Sequence, residues 1–122
     1  MIDTCGVDLI HAHSSHHFKG IEVYQGKLIL YGCGDFISDY EGITGHEFYR
    51  SELTLMYFPS INLKTKKLVR LDLVPMQLRN FQVKKTNEKD FKWVMDVLNR
   101  ESRKFKIRFE KFNEHAIRMN EL

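Results

Sequence analysis

At 122 residues, with 43% hydrophobic and 29% charged side chains, the chain has the composition of a folded domain and room for one real core rather than two. Nineteen basic against sixteen acidic residues leave a net charge of +3, scattered along the sequence, which is too weak to imply a nucleic-acid partner. No apolar run approaches the ~18 residues of a membrane span, and the first residues lack the charged and apolar regions of a signal peptide.

In chain order, Ile2 to Cys5 read as the tail of a helix with Gly6 as its C-cap, an opening that suits the later part of something longer. Residues 7–11 form the first strand candidate and run into a loop holding four histidines, His11, His13, His16 and His17. Residues 20–24 alternate apolar and polar, Gln25-Gly26 turns the chain, and residues 27–31 continue as a second strand, so a β-hairpin is expected here. Gly32-Cys33-Gly34-Asp35-Phe36 ends it in a turn where two glycines permit backbone angles that other residues avoid. Residues 37–50 are polar and Gly-punctuated and read as a surface loop long enough to cover a site. Residues 52–58, stopped by Pro59, and residues 68–74, stopped by Pro75, make a second hairpin, with residues 76–85 extended or irregular after it. The main helix starts after Thr86 or Asn87 and ends near Lys104, burying Phe91, Val94, Met95, Leu98 and Phe105. Ile107 and Phe109 suggest a brief strand, and residues 112–122 read as a tail that could carry a partial helix.

Chemistry concentrates in the histidine loop. Neutral imidazole is the commonest protein ligand for transition metals and a proton carrier near neutral pH. His13 and His16, three apart in a loop, could approach one ion or two adjacent ones. His11 at the strand end is as readily a packed or supporting group as a ligand, and His17 before Phe18 reads as a surface residue. Asp35 could bind a metal, orient a histidine or hold a substrate group, or simply bond its own turn. His46 and Tyr49 sit on the long loop and could reach the same place, whereas Asp8 and Glu22 read as strand-edge charges. The basic residues of the later half are interrupted by acidic ones, as on a solvated face. Cys5 and Cys33 could pair only if the fold brings them together.

The stretch from Val7 to His17, followed by Gly20 to Phe36, resembles the capsule synthesis protein CapA family, associated with poly-γ-glutamate biosynthesis. That family carries a Gly-His-x-x-His segment, a short hairpin ending in Tyr, and a Gly-(Asn/Asp)-Phe turn. It is similar to the calcineurin-like metallophosphoesterases, α/β sandwiches that hold two metal ions at strand ends. The resemblance implies that His13 and His16 are metal ligands, that Asp35 lies near the site, and that a complete member holds two divalent ions, with Mn, Fe or Zn plausible, acting on a phosphate-ester or polyanionic substrate. His11, Asp35 and His46 are the residues left for support or substrate contact. Ala12 departs from the family's Gly before the first histidine, which would matter if that position needs positive φ. The segments that supply the remaining carboxylate ligands are also absent.

The expected architecture is therefore α+β: mainly antiparallel hairpins and one main helix, forming the C-terminal part of a metallophosphoesterase-like sandwich, with residues 1–122 a single partial domain. An exposed sheet edge would be open to pairing with another copy. Two further readings are a non-catalytic module that binds a polyanion or protein, and an inactive fragment arising from a truncated gene model.

Overall fold

The computed structural model describes residues 2–12, 17–34, 52–80 and 82–121. The expected loop over residues 37–50 lies outside them. The chain opens on α1 (Ile2–Cys5), closed by Gly6 at φ +67°. β1 (Leu9–His11) follows, and then β2 (Ile21–Tyr24) and β3 (Lys27–Leu30), which form the expected hairpin. Gln25 at φ 51° and Gly26 at φ 77° are both left-handed, the turn whose twist matches two antiparallel strands. β1 lies parallel to β3, pairing Leu9 with Leu28 and His11 with Leu30, so the three strands form one mixed sheet in the order β1-β3-β2. Asp8 and Glu22 are edge charges as expected. Lys27 Nζ donates to Asp8 at 2.7 Å, and the Tyr31 hydroxyl donates to Glu22.

The second sheet is built on β4 (Leu53–Ile61) and β5 (Leu68–Arg79), both longer than the prolines suggest. Pro59 pairs with Leu71, but β4 is an edge strand, where a missing N–H is tolerated. Pro75 faces Leu55 on one side. On the other it falls between the residues of β5 that pair with β8 (Ile117–Glu121), namely Asp72 and Leu73, and those from Met76 onward that pair with β6 (Gln82–Lys85). The ladder needs no N–H there. The region after Pro75 is thus a continued strand and a hairpin rather than irregular chain.

α2 (Glu88–Ser102) starts where expected: the Asn87 side chain accepts from the Asp90 amide at 2.8 Å. It runs on into a 3₁₀ turn, Arg103–Phe105, and reverses at Lys106 (φ 60°). Phe91, Val94 and Leu98 are buried as anticipated, while Met95 and Phe105 pack at the core's margin. β7 (Ile107–Lys111) and β8 then form a hairpin, so the tail is a strand and not a partial helix. Ile117 is completely buried between neighbours on β7 and β5, and that burial holds β8 extended. The order of the sheet is β4-β5-β8-β7 with β6 on the remaining part of β5. Asn99 of α2 completes the outer side of β7: its side chain accepts from the Phe109 amide at 2.7 Å and donates to the Phe109 carbonyl at 3.1 Å.

One apolar core joins all of this, drawing Ile21, Leu28 and Leu30 from the small sheet, Leu53, Leu71, Leu73 and Phe109 from the large one, and Val94 and Leu98 from α2. Where the small sheet meets α2, the Ile21 amide donates to Ser102 Oγ at 3.0 Å, in a buried contact between residues 81 apart. Gly20 makes the approach possible, because a Cβ there would lie 2.6 Å from the Glu101 carbonyl oxygen. Ser102→Ala leaves a buried amide without a partner and should lower unfolding free energy by ~1–3 kcal/mol in urea titrations. On the large sheet, Arg118 clasps Asp72, its cross-strand partner, through Nε at 2.7 Å and Nη2 at 3.1 Å. The hydrogen bond from Arg118 holds the Asp72 carboxyl below its usual range. A depressed folded-state pKa adds stability that is fully present above the unfolded carboxyl value of about 3.9 and is lost as pH falls through the lower folded value. Asp72→Asn should therefore flatten the acid limb of the stability profile below about pH 4 and leave the curve's shape near neutrality unchanged.

Candidate functional site

Three segments converge on the end of β3. The Ala12 amide donates to the Leu30 carbonyl at 2.9 Å as the chain leaves β1. On the return, Phe18 and Cys33 form an antiparallel bridge, and the Lys19 amide donates to the Gly32 carbonyl at 2.8 Å. Both ends of the histidine loop are thus tied to the same strand end, and its second end lies against the start of the Gly-Asp-Phe turn. Gly34 sits at φ +74°, and a Cβ there would be 3.2 Å from the Phe18 nitrogen and 3.4 Å from the His17 carbonyl carbon. A side chain there would be strained by the angle and crowded by the approach, so glycine is favoured. Gly32 shows no positive φ, so one of the two glycines in the turn carries the conformational demand. Among the described non-glycine residues, positive φ occurs at Gln25, Lys66, Asn80 and Lys106. Ala12 is not among them.

His13, His16, Asp35 and His46 lie outside the described residues, as does Tyr49. His11 is exposed at the end of β1 and borders a shallow groove of about 400 Å³ with Leu30, Tyr57 and Phe58. His17 is half-buried, and Phe18 beside it is a core residue, so this end of the loop is anchored by packing rather than lying free on the surface. Among the described residues no three His, Cys, Asp or Glu side chains gather as a metal cluster.

Tyr57 was not singled out by sequence, and Cys33 only as a possible partner of Cys5. Tyr57 shares a face of β4 with Leu53 and Leu55, and its hydroxyl is buried against the Cys33 thiol without a hydrogen bond of normal geometry. Burial pushes the phenol well above its ordinary range and raises the Cys33 thiol as well. Cys33 is thus held as a neutral thiol, a poor metal ligand and a poor nucleophile at neutral pH. Both cysteines are free, with Cys5 exposed on α1. Thr54, fully buried on β4, reaches the Cys33 carbonyl at 3.5 Å and fastens the turn to the large sheet. The sequence signal for Tyr57 is its place in an alternating strand, which marks it as inward-facing but cannot say what it meets.

A second, larger groove of about 660 Å³ opens beside the loop's return, between His17 to Gly20 on one wall and the end of α2 on the other. Trp93, Arg100 and Lys104 line the helical wall, and Lys19 lies opposite.

Residues 1–40 match the family described as bacterial capsule synthesis protein PGA_cap, a segment that includes the histidine loop, the hairpin and the turn after it. Over 103 residues the chain is 44% identical to proteins from two strains of Mycobacterium tuberculosis, each named "Probable polyglutamine synthesis accessory protein". The matched region is 84% of this chain and 27% of each relative, so the chain spans about a quarter of the length of the curated proteins it matches. Tyr57→Phe removes a buried hydroxyl that has no partner and should leave stability unchanged or raise it by up to ~1 kcal/mol in thermal unfolding. A loss of that size would show instead that the hydroxyl is held.

Proposed function

We propose, proceeding from a chain that resembles the C-terminal portion of the bacterial capsule synthesis family, that it contributes the histidine arm of a divalent-metal, phosphoesterase-like centre in a capsule or polyglutamate synthesis protein. His13 and His16 are the proposed ligands, with Asp35 as a carboxylate that binds the ion or orients a histidine. The observation that supports this reading is the convergence at the end of β3. His16 and Asp35 are each one residue along the chain from a described neighbour, His17 and Gly34, and those neighbours approach each other closely.

Two imidazoles and a carboxylate form a donor set that suits Zn, Mn or Fe(II). They fall short of the ligands that two ions need, so the rest of such a centre must come from other segments. A bound divalent ion there supplies Lewis-acid stabilisation of a phosphoryl oxygen and lowers the pKa of its water. The chain's own part is to hold two imidazoles at a fixed strand end, in a loop clamped at Ala12 and Phe18. The proposed substrate is a phosphate ester or another polyanion. His11, exposed on β1, and His46 are the remaining candidates for contact with it.

Calorimetric titration of this chain with Zn²⁺ or Mn²⁺ should detect weak binding of a single ion. His13→Ala and His16→Ala should each weaken it by about tenfold or more. Tight binding of two ions by the chain alone would refute the incomplete donor set, and unchanged affinity in both variants would refute the ligand assignment.

A further inference from the structure

Between Leu53 and Leu71 the chain carries four basic residues and no acidic one, although the whole sequence is only +3. These residues are the β4–β5 hairpin, and the charge gathers at its tip. Lys64, Lys66 and Lys67 are exposed there and form no ion pair among the described residues. Arg70, farther along β5, is instead held by Asp72 at 3.2 Å. Asp8 lies near the tip, but Lys27 Nζ holds it at 2.7 Å while also donating to the Lys66 carbonyl at 2.6 Å. Both carboxylates are thus engaged by other cations.

The same tip presents apolar side chains to water. Leu63 is 90% exposed, the most of any large hydrophobic residue described, and Val69 on the adjoining strand is 68% exposed. A lone exposed leucine is ordinary on a protein surface, but this one is held out by its turn. The Asn62 side chain accepts from the Lys64 and Thr65 amides at 2.8 and 3.1 Å, and the Asn62 carbonyl accepts from the Lys66 amide at 2.7 Å. The turn is braced from the β2–β3 hairpin: the Leu68 amide donates to the Gly26 carbonyl at 2.7 Å, and a Cβ on Gly26 would meet the Lys67 stem at 2.8 Å. β5 pairs with β8 only at Asp72 and Leu73, so from Leu71 to the tip its ladder is with β4 alone. The end of the hairpin is therefore an ordered two-stranded ribbon with a leucine in its turn and uncompensated lysines beside it.

We infer that this hairpin tip docks on the surface of an anionic lipid bilayer. Leu63 enters the boundary between headgroups and acyl chains, and Lys64, Lys66 and Lys67 meet the anionic headgroups around it. An apolar pocket on another protein would accept Leu63 and leave three lysines without counter-charge. A soluble anion would engage the lysines and give Leu63 nothing to enter. A surface that is negative above and apolar beneath satisfies both. The turn is already ordered, so docking loses little conformational freedom. Each lysine near such a surface adds about fivefold to partitioning, so the contact is weak and reversible, one that orients the chain rather than anchoring it. It shares no residue with the proposed ion ligands.

The test is flotation of the whole chain with lipid vesicles, a chelator being present so that this reading and the ion reading fail separately. Binding is expected to vesicles of phosphatidylcholine and phosphatidylglycerol in equal parts, weakening as salt is raised, and not to phosphatidylcholine alone. Leu63→Asp and the double variant Lys64→Glu, Lys67→Glu should each lose at least about fivefold in partitioning while keeping their far-ultraviolet circular dichroism. Leu63 lies outside every strand ladder, so its variant keeps the test open if the lysine pair does not fold. Reversing the cations at the end of α2, Arg100→Glu with Lys104→Glu, should leave binding unchanged. Leu63→Trp should add a blue-shifted emission component on anionic vesicles. No binding to those vesicles, equal binding by folded Leu63→Asp, loss in the α2 variant alone, or an unshifted Leu63→Trp in the bound state overturns the docking. Release by free glycerol phosphate at matched ionic strength would show capture of a single headgroup and overturn it as well.

Discussion

The fold depends on a place where two parts of the chain come closer than side chains normally allow. Gly20 lies against the Glu101 carbonyl with no room for a methyl group, and the next residue gives its amide to the buried Ser102 hydroxyl. β2 would otherwise begin with an unpaired N–H inside the protein, a cost of ~1–3 kcal/mol. By meeting it with a side chain from the last turn of α2, the structure fixes the small sheet against the helix. α2 in turn grips β7 through Asn99. The two sheets share one core because this helix is pinned at both contacts.

The same contact places the candidate functional surfaces. Residues 17 to 20 leave the histidine loop, bridge to Cys33, and run directly into the Gly20 approach. One face of that short segment looks toward the end of β3 and the turn that precedes Asp35. The other walls the basic groove along α2. The His17 end of the histidine loop and the groove along α2 are thus neighbours, with Phe18 buried between them as a common anchor. Beneath the turn lie the half-buried Cys33 thiol and the buried Tyr57 hydroxyl, each with its pKa raised by burial.

Legibility differed by element for physical reasons. The β2–β3 hairpin, the Asn87 cap and the α2 stripe are local, since each is set by residues within a few positions of one another. The prolines misled because a strand tolerates proline wherever no neighbour needs its N–H. That depends on which strands lie alongside, as at Pro59 on an edge and Pro75 between two partners. The final strand was missed for a related reason: β8 is extended because β5 and β7 bury Ile117 from either side, not because its own residues insist on it. At the site, the histidine motif and the Gly34 turn could be read from the order of residues. The Tyr57–Cys33 contact and the Lys19–Arg100–Lys104 groove could not, since each joins segments distant in sequence.

By itself the sequence determined the α+β character, the first two hairpins, the helix and its cap, and the likeness to capsule synthesis proteins carried by the stretches Val7 to His17 and Gly20 to Phe36. These follow from short-range periodicity, turn chemistry and motif order, which are properties of neighbouring residues. Tertiary structure alone decided that β1 lies parallel to β3, that β8 completes the large sheet, and that Gly20 leaves no room for a side chain. Those outcomes arise from close approach and buried hydrogen bonding between remote segments, and no local pattern records which partner a backbone group will find.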